Sequence, residues 1–160
     1  MRNFSDIRSD AIRKKNDAYS KAYELGKESK AIDDERKQLD DTKSRIPTDL
    51  PDDVKALIDE RVSQIESDLD TRAEDVVSQI DEAQDDADDS IDQMRSVGDS
   101  LGEKASSLMA GKDIPLIGSF LESKATELTD QKEQMYDLAQ EAQKYSDDLA
   151  ESGQRLTNRR

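Results

Sequence analysis

AEDVVSQIDEAQDDADDSIDQM, residues 73–94, sets Ala73, Ile80, Ala87 and Met94 seven residues apart, with Val76 and Ala83 as a companion lane. A seven-residue apolar repeat keeps one side of a helix against its neighbours only if the helices wrap left-handed about one another. The same period organises the rest of the chain. Toward the N-terminus it continues as Phe4, Ala11, Ala18, Leu25, Ile32, Leu39 and Ile46; after Met94 the lane runs on through Leu101 and Leu108; and it returns as Leu121, Leu128, Met135, Ala142, Leu149 and Leu156. Charged residues make up 39% of the 160 positions and the net charge is −15, a balance that also suits acidic disordered chains. Apolar residues held in phase over three long stretches have no role in a disordered chain, so the expected fold is all-α, an elongated antiparallel three-helix bundle with coiled-coil-like heptad packing.

Breaks in the pattern set the boundaries. Asn3 or Ser5 can cap a first helix that runs to about Arg45, giving helix 3–45. Ile46-Pro47-Thr48-Asp49-Leu50-Pro51 carries two prolines and reads as a turn over 46–50. Pro51 suits the first position of a second helix, with Asp52 and Asp53 complementing its dipole. That helix has apolar positions Val54, Ile58, Val62, Ile65, Leu69 and Ala73, and the step 65–69–73 is a stutter relative to the heptad. Gly98, Gly102 and the capping-box pattern Ser100-Leu101-Gly102-Glu103 place its end near Val97. A Gly/Pro-interrupted connection with a short helix then covers 98–118, a third helix covers 119–156, and the tail 157–160 frays. With that break the helices match at about 65–70 Å, at 1.5 Å per residue. Short connections favour an up–down–up arrangement in one domain spanning 1–160.

Residues 1–45 carry 12 basic and 10 acidic side chains, residues 46–97 carry 4 and 17, and residues 98–160 carry 8 and 12. Lys14, Lys15, Lys21, Arg36 and Lys37 are therefore expected to flank the seam of the first helix and oppose the acidic second. In that first helix Lys15, Ala22, Ser29 and Arg36 stand where a second apolar lane belongs. Two outcomes follow: a narrow seam closed within the chain, or a half-built core completed by another protein.

The chemistry-bearing residue types are sparse. There is no His, Cys or Trp, which removes the commonest general base, the commonest metal ligand and the best nucleophile, so the chain reads as no enzyme and as holding no cofactor. Gly111-Lys112 has the ending of a phosphate loop, but Asp113 stands where Ser or Thr is needed and Ser106 where the first Gly is needed. Asp81, Asp85, Asp88 and Asp92 line one helix face at steps of four, three and four. They form a solvated outer face or a docking stripe for a basic partner, without the calcium-loop pattern a metal site needs. Nucleic acid is disfavoured by the net charge. A run of 18 apolar residues is absent, and residues 1–20 lack the apolar core of a secretory signal, so the expected location is the cytoplasm, or export without a cleaved signal peptide.

The segment Leu108–Leu121 concentrates hydrophobicity. Ile114, Leu116, Ile117, Phe120 and Leu121 either cap the end of the bundle or form a docking knob for a partner, a protein with a helical surface ahead of a membrane, and self-association of the chain is also open. Membrane association is disfavoured, since surface-seeking helices carry basic polar faces. Leu116-Ile117-Gly118 has the letters Leu-x-Gly at a turn entering a helix. With the small, acidic, Cys-free helical build, it resembles the helical substrates and partners of Gram-positive type VII secretion, the WXG100-like and LXG-domain groups. The chain departs from them in having no Trp-x-Gly, and no Asp or Glu four residues after Tyr19, Tyr23, Tyr136 or Tyr145. The resemblance implies a non-catalytic helical partner of a larger secreted protein. On the residues alone the function is a helical protein–protein interaction module, an adaptor or secretion partner; a self-sufficient coiled-coil spacer and a membrane-associating helical protein are the alternatives.

Overall fold

Asn3 begins the first helix by accepting the Asp6 N–H on its side-chain oxygen at 2.9 Å, leaving one fewer orphan donor in the opening turn. The computed structural model describes residues 3–158 and contains three helices, with no strand among them: α1 (Phe4–Ser44), α2 (Asp52–Met109) and α3 (Gly118–Thr157). The protein is an all-α three-helix bundle. α1 closes in tightened turns, with Arg45 N–H donating to Thr42 O and Ile46 N–H to Lys43 O, just before Pro47. Pro51 lies one residue outside α2 and supplies the carbonyl that accepts the Lys55 N–H at 2.9 Å, while Asp52 and Asp53 fill the first turn.

The expected break near Val97 does not occur. α2 continues for 58 residues through Gly98 and Gly102. At Gly98 an added Cβ would sit 2.6 Å from Tyr136 Cε1, and at Gly102 it would sit 3.2 Å from Lys132. These glycines admit α3 side chains against the α2 backbone, and the helix tolerates them because each costs only about 1 kcal/mol of propensity. The expected connection over 98–118 therefore contracts to the turn 110–117.

The expected single domain packs as two compact units. One combines the chain up to Ser20 with Gln84–Asp147; the other combines Lys21–Ala83 with the chain from Asp148 on. In the first, Ala11, Ile91, Met94, Met135, Leu138, Ala139 and Ala142 form the core, with Phe4, Ile7, Val97 and Leu101 packed against it. Contacts there run in opposite senses between α2 and α3, from Asp88–Ser146 to Asp99–Tyr136, and in the same sense between α1 and α3, from Lys15–Glu141 to Tyr19–Tyr145. In the second unit, Leu25, Ile32, Leu69, Val76, Ile80, Leu149 and Leu156 are buried. Here α1 and α2 are antiparallel, Glu35 meeting Arg72 at 2.6 Å, Arg36 meeting Asp70 at 3.5 Å and Lys43 meeting Glu66.

Burial along α2 steps from Ala83 to Ala87 to Ile91, two steps of four. Ile91 thereby takes the core position that a strict heptad would have given to the half-buried Ser90.

α1's companion lane settles how its seam is built. Ala22 is buried and Ser29 is 0% exposed, its hydroxyl donating to the Ser152 carbonyl at 2.9 Å. Lys15 and Arg36 lay their stems inward and carry their charges to polar ends, Lys15 to Glu141 at 2.9 Å and Arg36 to the Leu156 carbonyl at 3.0 Å. The lane faces α3 as well as α2: of the cations expected to oppose the acidic helix, Arg36 does so through Asp70 at 3.5 Å, whereas Lys15 turns to α3. Lys37 pairs with Asp33 on its own helix, and Lys14 reaches Gln93 rather than an acid on α2. Every buried side-chain nitrogen or oxygen among the described residues has a hydrogen-bond partner.

Candidate functional site

The turn between α2 and α3 is built on two glycines. Gly111 lies against Leu121, whose Cδ1 would be 2.6 Å from an added Cβ, and Gly118 is buried beneath the Lys112 carbonyl, which a Cβ would meet at 2.0 Å. Backbone bonds chain the segment together: Gly111 N–H to Leu108 O, Ile114 N–H to Gly111 O, and Gly118 N–H to Ile114 O at 2.8 Å. The segment is fixed by its own hydrogen bonds and by contacts only glycine permits.

That fixed turn holds its apolar side chains outward. Ile114 and Ile117 are each 48% exposed, Phe120 is 62% exposed, and Leu116 is fully exposed. Leu121 alone of the five candidate residues turns inward, half-buried against Gly111. Leu108 is likewise half-buried, and the other four candidates are left to solvent. Leu116 also has φ of 74°, the only non-glycine residue with positive φ among the described residues. A left-handed conformation costs a Cβ-bearing residue about 1–2 kcal/mol and suits Gly or Asn far better than Leu.

Asp81, Asp85, Asp88 and Asp92 are all exposed, the first in the second unit and the others in the first. Asp88 also accepts a hydrogen bond from the Ser146 hydroxyl at 2.7 Å, which places it at the edge facing α3 rather than on the outermost face. The described residues contain no group of three or more metal-ligating side chains. None of their helices is long and apolar enough to cross a membrane.

Two features of the first unit are visible only in three dimensions. A groove between α1 and α2 has Ile7, Ala11, Met94, Val97 and Met135 as its floor and is bridged by Lys14 Nζ donating to Gln93 Oε1 at 2.6 Å. On its rim, desolvation pushes the Asp10 carboxyl up, but the hydrogen bonds and charges of Lys14 and Arg13 outweigh it and hold Asp10 below the ordinary carboxylate value. On the α3 side, the Tyr136 hydroxyl donates to Asp99, Lys132 Nζ sits 5.6 Å over the Tyr136 ring, and the Asp99 hydrogen bond raises the phenol's pKa above its ordinary value. Gly98, a glycine between Met94 and Leu101 of the apolar lane, is the sequence signal that could have located this cluster.

No protein-family model matches the sequence, and no curated protein or solved structure is significantly similar to it.

Proposed function

We propose that this chain is a non-catalytic helical protein–protein interaction module, an adaptor or secretion partner that docks on a larger helical protein through the turn around Leu116. The observation that carries the reading is Leu116 itself. Its exposure gains nothing from burial and its φ of 74° costs free energy, so neither packing nor backbone geometry accounts for a leucine there. Ile114, Ile117 and Phe120 flank it on a turn already rigid before any partner arrives, which lowers the ordering cost of association. The likeness in build to type VII helical partners is in keeping with this role, as is the absence of His and Cys from the sequence. Export without a cleaved signal would fit the same reading.

Leu116→Asn is the informative variant because Asn tolerates the left-handed region. The bundle should keep its melting temperature or gain slightly, while retention of a partner on the immobilised full chain, in extract from the cell that makes it, should fall sharply. Equal retention by both forms would remove the proposal, and binding to phosphatidylcholine vesicles lost in the same variant would reassign the turn to lipid. A second reading, a self-sufficient structural spacer, rests on the internal closure of α1's seam by Ser29, Lys15 and Arg36.

A further inference from the structure

The turn between α2 and α3 differs from the rest of the surface in charge as well as in polarity. Between residues 100 and 126 the chain carries three acidic side chains, Glu103, Asp113 and Glu122, and three basic ones, Lys104, Lys112 and Lys124, all exposed. The net charge of −15 therefore lies wholly outside this stretch. No charge stands between Asp113 and Glu122, where Ile114, Leu116, Ile117 and Phe120 project, in a chain of which 39% is charged. The acids that bound the stretch are engaged: Asp99 accepts from the Tyr136 hydroxyl, and Glu127 pairs with Lys124 at 3.2 Å. Asp99 also lies about 15 Å along the helix from Met109, whereas the Debye length at physiological ionic strength is about 8 Å. The acidic excess farther along α2 is screened from anything seated on the turn.

We infer that the partner receives this turn in an apolar recess of protein that carries no net charge, with Leu116 as the knob. This rests on the proposed docking role of the turn and adds the chemistry of the surface it meets. The shape follows from Leu116, whose full exposure where the chain reverses makes it a projection that a concave surface covers. The charge follows from the balance around it. A basic partner gains little Coulomb energy from three acids interleaved with three cations. An anionic lipid surface needs a basic rim, which Asp113 and Glu122 deny it. A second copy brings the same projection in place of a recess.

The test takes the protein that the immobilised full chain retains from extract and Leu116→Asn does not, purifies it, and measures its binding to the full chain by fluorescence anisotropy. Its affinity should change by less than about threefold between about 50 and 500 mM sodium chloride. Lys112→Glu and Asp113→Lys tip the local balance in opposite senses, and each should change the affinity by about threefold at most. Leu116→Asn and Phe120→Ser should weaken it about tenfold or more. All four positions are exposed, so folding should survive, and circular dichroism checks it. An affinity that falls about tenfold as salt rises, or large and opposite responses to Lys112→Glu and Asp113→Lys, overturns the uncharged recess and leaves the docking role of the turn standing. Equal retention by Leu116→Asn, or no retained protein at all, removes that role and the recess with it. A retained protein that proves to be this same chain overturns the recess and hands the turn to a second copy.

Discussion

Gly98→Ala sets two opposed effects against each other, and the structure decides the sign. In an ordinary helix interior the change stabilises by about 1 kcal/mol through propensity and a restricted unfolded chain. Here the new methyl would lie 2.6 Å from Tyr136 Cε1, 2.9 Å from Cδ1 and 3.1 Å from Cζ, so it meets the body of the ring rather than a movable tip. Relief requires the ring to swing, which costs about 1–3 kcal/mol of overpacking strain. It also breaks the hydroxyl's bond to Asp99, for about 0.5–1.5 kcal/mol more. The net expectation is a loss of about 1–3 kcal/mol once the propensity gain is subtracted. Urea denaturation followed by circular dichroism measures it through the midpoint. Repeating the substitution in a Tyr136→Ala background should reverse the sign, leaving Gly98→Ala stabilising by about 1 kcal/mol. A gain in stability with Tyr136 present, or no change of sign between the two backgrounds, would refute the view that α2 stays continuous because Gly98 makes room for the ring.

Other outcomes follow from the same geometry. Gly118→Ala places a methyl 2.0 Å from the Lys112 carbonyl oxygen, so the turn must reopen; proteolytic cleavage within 110–117 should speed up, and unchanged cleavage would count against a fixed turn. Ser29→Ala removes the donor to the Ser152 carbonyl and should cost about 0.5–1.5 kcal/mol in a urea melt, whereas a gain would mean that the buried hydroxyl contributes nothing. The hydrogen bond to Glu66 raises the Lys43 pKa, so its contribution is complete below the ordinary lysine value of 10.5 and is lost as pH climbs through the higher folded value. Lys43→Met should accordingly flatten the alkaline fall of the melting curve above that pH. Carboxylates crowd α2, so moving from about pH 7 to about pH 5, or adding salt, should raise the melting temperature through weaker self-repulsion; a fall would contradict it.

The three helices were legible because their lanes are long and in phase, and the Pro47 and Pro51 turn because proline leaves few alternatives. The end of α2 was misread for a physical reason. Gly98 and Gly102 carry the same letter whether a helix stops or a neighbour's side chain crosses closely, and only Tyr136 and Lys132 on α3 separate the two cases. Ile91 stood off the heptad and was recovered only through burial. The candidate residues Ile114, Leu116, Ile117 and Phe120 stood out as concentrated hydrophobicity, but their outward direction depends on the backbone of the turn, which composition does not encode. The polar lane Lys15, Ser29 and Arg36 was visible as a gap in the apolar pattern. That its polar groups are satisfied depends on partners more than a hundred residues away along the chain, Glu141, Ser152 and Leu156.

Whether α1's polar lane closes the bundle within one chain is tested most directly by thermal melting of the purified protein over a wide dilution series, with light scattering on the same samples. A chain whose seam is satisfied by its own α3 gives monomer mass and a cooperative melt with one midpoint at every concentration. A midpoint that falls on dilution, or a melt that becomes cooperative only when another protein is added, would show that the core is completed from outside.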